Sequence, residues 1–284
     1  MRRGLIPGLF AALLLAHAVP AAATCVRTVR WEPAQPPYNQ RMPDGRQGGY
    51  YADLVVEILR RMDCQGRLVD MRWPRGLAEL QAGRLDIMAG MLSTPERDAF
   101  ARFTRRINFS PNRLYLSAAA QRRYPALRTL ADVRGTTLTI GVETSAVYGP
   151  AYVALQEDPT FRARLYFVPT QRTGWQMLAG GRLDGLISDD VRARLVGLPM
   201  QAEDAPVRAV LTVAEAPALI GLSRRSVDEA FVERFDAVLA AMVADGSLAR
   251  LRERYVPCPT DPVTLGCRDA LQGAEPAVKN EAPP

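Results

Sequence analysis

Apolar positions alternate between two periods along the chain, and that alternation predicts the architecture. Val26 to Trp31 and Gly66 to Met71 are short runs with strand character, while Leu54, Val55, Ile58, Leu59 and Met62 recur at helical spacing within Ala52 to Met62. Leu77 to Ala82 then reads as a helix and Leu85 to Ala89 as a buried strand. Strand, helix, strand, helix, strand is the rhythm of a parallel sheet in an α/β protein. The rhythm returns after a short helix at Leu127 to Val133: strand at Thr137 to Val142, helix at Tyr148 to Glu157, strand at Leu165 to Val168, helix at Thr173 to Ala179, strand at Leu183 to Ile187. Leu80-Gln-Ala-Gly-Arg-Leu-Asp86 and Leu178-Ala-Gly-Gly-Arg-Leu-Asp184 occupy equivalent places in the two copies. Each leads into a polar loop at a strand's carboxyl end, the usual ligand position in open α/β sheets. The first loop ends in Arg97 and the second in Asp189 and Asp190. A cleft between two such lobes suits a small solute carrying both charges.

Leu114 to Ala119 is read as the first crossing between lobes, with Val207 to Val213 and Ala218 to Leu222 as the return. Ser226 with Glu229 three residues on forms a capping-box pattern opening a helix to about Ala244, and Leu248 to Tyr255 is a last short helix. The expected division is therefore residues 24–114 plus 216–257 for the first lobe and 115–215 for the second. Residues 258–284 form a tail, with disorder expected beyond Cys267.

Composition narrows the class. The 284 residues, 48% hydrophobic and 23% charged, have globular values. Arg2 and Arg3, the apolar run Leu5 to Val19 and the small residues Pro20 to Ala23 read as an export signal covering residues 1–23. That places the mature chain in the periplasm; Thr24-Cys25 matches a lipoprotein site poorly, so an anchor at Cys25 is not expected. In an oxidising compartment the four cysteines, Cys25, Cys64, Cys258 and Cys267, suggest disulfides. Cys25 and Cys64 start neighbouring parallel strands and suit a bridge; Cys258 and Cys267 would close a loop in the tail. Net charge is +6, or +4 without the signal, and the arginines are scattered among acids, so no nucleic-acid footprint is present. The single histidine, His17, lies in the signal, which excludes Ser-His and Cys-His nucleophile pairs from the mature chain. No metal and no cofactor are expected.

The order of motifs resembles the family 3 extracellular solute-binding proteins, periplasmic receptors that feed polar amino acids to ABC importers. The residues carrying the resemblance are Pro36-Pro37-Tyr38, Gly49 to Leu54, Leu80 to Asp86, Thr94-Pro95-Glu96-Arg97, Phe109-Ser110, Thr137 to Val142, Gly181 to Asp189 and Ala244 to Leu248. The resemblance implies a two-lobe Venus-flytrap fold with two hinge crossings, a monomer that closes on ligand and meets an ABC permease. It implies that Arg97 clamps a ligand carboxylate and that Asp189 receives an ammonium; either Asp189 or Asp190 could cap the helix that follows, and Asp190 is the expected cap. Tyr38 and Trp73, and Tyr51 beside them, match aromatic positions that line the ligand. Two departures stand out. Leu92 occupies a position where the family commonly carries a hydroxyl, and Glu143-Thr144-Ser145-Ala146 lacks the usual glycine, leaving Thr144 or Ser145 to serve. Two other readings share the scaffold: a periplasmic cyclohexadienyl (prephenate or arogenate) dehydratase with Glu143 as general acid, and a receptor for a membrane signalling partner.

Overall fold

The computed structural model describes residues 25–256 apart from 106, 108, 109, 202–205 and 216. The expected export signal, Phe109, Cys258, Cys267 and the tail lie outside the described residues. Strand β1 (Cys25–Trp31) is followed by a small antiparallel sheet of β2 (Ala34–Gln35), β3 (Asn39–Arg41) and β4 (Gln47–Gly48). Helix α1 (Tyr50–Arg61) buries Leu54, Val55, Ile58 and Leu59 at the spacing read from the sequence. Then come β5 (Cys64–Asp70), α2 (Trp73–Ala82) and β6 (Ile87–Met91), and next α3 (Pro95–Asp98) and β7 (Ala101–Phe103). Gly83 ends α2 in the left-handed region (φ 78°), returning its N–H to Leu80 as glycine does after many helices.

The second lobe contains β8 (Asn112–Leu116), α4 (Ala118–Arg123), a 3₁₀ turn at Leu130–Gly135, β9 (Ile140–Glu143), α5 (Pro150–Gln156) and α6 (Pro159–Arg162). It continues through β10 (Leu165–Val168), α7 (Gln171–Ala179), β11 (Gly185–Asp189), α8 (Asp190–Arg192) and β12 (Arg208–Ala214). The chain then returns as β13 (Leu219–Ser223), α9 (Glu229–Ala244) and α10 (Ser247–Tyr255).

Two five-stranded sheets result, ordered β5-β1-β6-β13-β7 and β10-β9-β11-β8-β12. In the first, β1 pairs in parallel with β5 from Cys25 opposite Cys64, and the expected disulfide joins them with Cα atoms 4.5 Å apart. The returning β13 inserts antiparallel between β6 and β7, so this lobe is built from both ends of the described chain. Phe231, Phe235, Leu239 and Met242 of α9 pack with Val55 and Ile58 of α1 on one face, and Leu80, Met88 and Met91 fill the other. Full burial of each such side chain contributes about 1.5–3 kcal/mol, which holds the distant segments together. In the second lobe Tyr152 and Phe161 pack on Ile140 and Val142, while Trp175 and Leu178 of α7 cover Leu186 from the other side.

The crossings depart from expectation. Strand β8 already pairs with both neighbours from Asn112, ahead of the boundary expected after residue 114, and the segment beyond Leu116 is helical. The cause is Ser117, whose hydroxyl accepts the Ala120 N–H and caps α4. The first crossing therefore precedes β8, and it is bonded to the second: Thr104 N–H donates to Ile220 O at 3.1 Å and Ile107 N–H to Ala218 O at 2.9 Å. Helix α9 also starts later than its capping-box pattern implies, because Asp228 rather than Ser226 caps it, accepting the Phe231 N–H at 2.7 Å.

Candidate functional site

The carboxyl ends of β1, β6, β9 and β11 meet where the lobes face each other, around a cavity of about 100 Å³. Leu92, Arg97, Trp73, Tyr38 and Tyr51 line it from the first lobe, and Glu143, Asp189 and Arg192 from the second. The loop after β6 explains how Arg97 comes to face it. Thr94 caps α3 by accepting the Arg97 N–H, Pro95 starts the helix, and the Arg97 side chain turns back to donate to Leu92 O at 3.0 Å. Its other nitrogen reaches across the cleft to Ser145 O at 3.3 Å, and Trp73 Nε1 donates to the same carbonyl at 3.3 Å. The guanidinium lies 5.9 Å from the centre of the Trp73 ring. Arg97 is only 5% exposed, and among the described residues no carboxylate comes within ion-pair distance of it. Burial pulls its pKa down to about 10, with Glu96 opposing only in part. It is a desolvated cation whose hydrogen bonds go to neutral carbonyls.

The aromatic wall depends on a glycine. Gly90 sits at φ 82°, and a Cβ there would fall 2.6 Å from the Tyr51 ring. Without one, the ring packs against β6 and stacks on Tyr38 with centroids 4.3 Å apart and planes 5° from parallel. The Tyr38 hydroxyl crosses to the second lobe and donates to Asp189 Oδ1 at 2.7 Å. Burial and the neighbouring Asp189 carboxylate raise this phenol well above its ordinary pKa.

Opposite Arg97 lies a charge network. Asp189 Oδ1 also accepts from Ser110 Oγ at 3.2 Å and from the Arg192 backbone N–H at 3.0 Å, so Asp189 caps α8. The expected division between the two aspartates is thus corrected: Asp190 is tied to Arg113 Nε at 2.8 Å and to the Tyr115 hydroxyl, and the capping carboxylate is Asp189. Position explains this, since Asp189 is the last strand residue and its side chain reaches the N–H three residues on. The Arg192 guanidinium stands 3.5 Å from Asp189 Oδ2, donates to Glu143 Oε2 at 3.4 Å and lies 5.2 Å from the Tyr38 ring centre. Burial disfavours its charge, but Asp189 and Glu143 outweigh that and hold its pKa above the usual value. Gln35 Nε2 donates to Glu143 Oε1 at 3.2 Å from the first lobe, beside the buried Arg30–Glu32 pair. Burial raises the Glu143 carboxyl, with Arg192 and Arg30 pulling the other way.

A family model for bacterial extracellular solute-binding proteins, family 3, matches residues 28–257. This chain belongs to that family. Among curated relatives of this solute-binding protein, the L-arginine-binding protein of Pseudomonas aeruginosa is 23% identical over 228 residues, covering 79% of this chain and 85% of the relative. The L-cystine-binding protein TcyJ of Escherichia coli is 21% identical over 232 residues, covering 79% and 80%. An ancestral arginine-binding protein bound to glutamine shares the fold with a TM-score of 0.68 at 17% identity, covering 83% of this chain and all of that one.

The structure brings Arg97, Asp189, Tyr38, Tyr51, Trp73 and Leu92 to the solute-binding protein's cavity. Ser145 comes close through its backbone: it adopts φ 62°, the conformation a glycine would favour, and turns its carbonyl toward Arg97 and Trp73. Thr144 is not among the lining residues, because its hydroxyl donates to Val168 O at 3.2 Å and is spent on strand β10. Sequence reasoning missed Gln35, Gln171 and Arg192. Arg192 carried a readable signal, a cation three residues after Asp189 at a helix start. Gln35 and Gln171 carried none, because each becomes a site residue only through the approach of distant strands.

Proposed function

We propose that this solute-binding protein is a periplasmic receptor that captures a small carboxylate-bearing solute of amino-acid size between its lobes and hands it to an ABC importer. The observation supporting this is Arg97, a buried guanidinium at the cavity with only neutral hydrogen-bond partners among the described residues. A planar guanidinium pairs bidentately with carboxylate, and exclusion of water strengthens that pair. The named relatives bind arginine and cystine, which agrees with a carboxylate ligand. A cavity of about 100 Å³ lined from both lobes suits a small solute. Contacts from both lobes reward closure, so ligand shifts the population toward the closed form. A thermal-shift screen of amino acids and small organic acids tests the reading: at least one carboxylate raises the melting temperature, and a panel in which none does refutes it.

A dehydratase is the second reading, favoured by one observation: Glu143 lines the cavity with its carboxyl pushed up by burial, as a general acid requires. Both of its oxygens are engaged by Gln35 and Arg192, which suits a fixed structural acceptor better than a proton donor. Incubation with prephenate or arogenate separates the two, since appearance of an aromatic product establishes turnover.

A further inference from the structure

We propose that Arg192 occupies, from within the protein, the place a ligand ammonium would take beside Asp189, so that the cleft selects small carboxylates lacking an α-ammonium, 2-hydroxy acids in particular. This rests on the carboxylate reading given above and narrows it. Two carboxylates line the cavity; hydrogen-bond donors from the protein meet three of their four oxygens, and the Arg192 guanidinium stands at ion-pair distance from the fourth. Asp189 Oδ1 accepts from Tyr38, Ser110 and the Arg192 N–H, and Oδ2 faces Arg192 Nε at 3.5 Å. Glu143 Oε1 accepts from Gln35 and Oε2 from Arg192 Nη1. One guanidinium therefore stands between both acids, its side chain 16% exposed. A ligand ammonium approaching either acid meets that like charge at close range, in surroundings where water screens little.

The rest of the wall points the same way. The loop from β6 presents Ala89, Gly90 and Leu92, and the loop after β9 presents Ala146 and Val147, so neither offers a hydroxyl to an ammonium's protons. Of the neutral polar side chains that line the cavity, which include Gln35, Ser110, Asn112 and Tyr148, Gln171 is the one with a buried acceptor that lacks a partner among the described residues. Gln171 is 4% exposed; its Nε2 donates to the Tyr148 hydroxyl at 3.0 Å and Ile187 O at 3.1 Å, while Oε1 has no hydrogen-bond partner among the described residues. A buried, unpaired amide oxygen is costly, and a ligand hydroxyl satisfies it without bringing a second cation beside Arg192. Arg97 remains for the carboxylate.

The test is calorimetric titration of the mature wild-type protein with matched pairs: alanine against lactate, leucine against 2-hydroxy-4-methylpentanoate, phenylalanine against 3-phenyllactate. The expected result is a hydroxy acid binding at least about tenfold more tightly than its amino partner, equivalent to about 1.4 kcal/mol, with no pair reversed. Arg192→Gln should shrink or reverse the preference, and Arg192→Lys should keep it. Amino acids that bind wild type as tightly as their partners overturn this proposal and leave the carboxylate reading standing. If no compound in any pair binds, this proposal falls, and the wider carboxylate screen decides the reading it rests on. Should Arg192→Gln fail to fold, the wild-type pairs decide alone; should it fold with an unchanged preference, Arg192 is not the selector.

Discussion

Replacing Arg97 by Met should separate the stability of the ligand-free protein from its response to ligand. Burial lowers the guanidinium pKa to about 10, below the usual range for arginine. At about 1.36 kcal/mol per unit, holding the charge in the ligand-free fold costs roughly 3 kcal/mol. Because the folded pKa lies below the unfolded one, this penalty is fully present at neutral pH. The bonds to Leu92 O and Ser145 O, at 3.0 and 3.3 Å, offset it, since bonds to charged groups contribute about 1.5–3 kcal/mol each and the longer one falls at the weak end. Removing the charge should therefore leave the ligand-free melting temperature within about 5 °C, at about 2–4 °C per kcal/mol for a chain of this size. The ligand response should behave differently. Ligand at 100 times its Kd stabilises by about 2.7 kcal/mol, or about 5–10 °C. Loss of one partner in a buried charged pair costs about 2–5 kcal/mol, which weakens binding at least about 25-fold. At the same ligand concentration the shift should shrink below about 4 °C and, at the upper end of the cost, disappear. Differential scanning fluorimetry with the best compound from the carboxylate screen measures both quantities. A folded Arg97→Met protein that keeps its full ligand shift refutes the assignment.

Three further outcomes follow from the same structure. Removing the Cys25–Cys64 bridge, which spans 39 residues, should cost about 4 kcal/mol by loop closure and lower the melting temperature by about 8–16 °C; an unchanged value in the Cys25→Ala, Cys64→Ala protein counts against it. Tyr38→Phe deletes the hydroxyl that crosses to Asp189 and should destabilise the protein by about 1.5–3 kcal/mol in urea unfolding, an effect that a shift under 0.5 kcal/mol would contradict. Burial raises the Glu32 and Glu143 carboxyls in the folded state, so each opposes folding while ionised and its penalty lifts as pH falls from its raised pKa toward 4.5. Glu57, held down to about 2 chiefly by Arg60, loses its contribution only below 4.5. Melting temperature should therefore hold or rise on mild acidification before falling, and a steady fall from pH 8 to 5 would show that these two acids do not govern the profile.

The fold was legible where a single segment carries its own pattern. The apolar spacing of α1, the strand at Leu165–Val168 and the paired Gly-Arg-Leu-Asp repeats needed no partner to be read. Boundaries were read poorly where two capping residues compete within a turn, as with Ser226 and Asp228 or Asp189 and Asp190. Arg97 was legible because Thr94-Pro95 fixes the helix start that aims it. Its actual partner across the cleft was not, because a backbone carbonyl at Ser145 has no side-chain signature. The Gln35–Glu143–Arg192 network was hidden for a related reason: its members lie 108 and 49 residues apart, Glu143 and Arg192 joined by the packing of the second lobe and Gln35 only by the meeting of the lobes.

The paired crossings carry a mechanical consequence. Two separate strands joining two bodies would leave them free to twist as well as bend. Here Thr104 and Ile107 are bonded to Ile220 and Ala218, so the two connectors act as one ribbon, which bends across its face far more readily than it shears within its plane. Such a joint has essentially one soft coordinate. A single angle then separates the closed cleft from the open one, and one pair of fluorophores across the cleft would report that angle in solution.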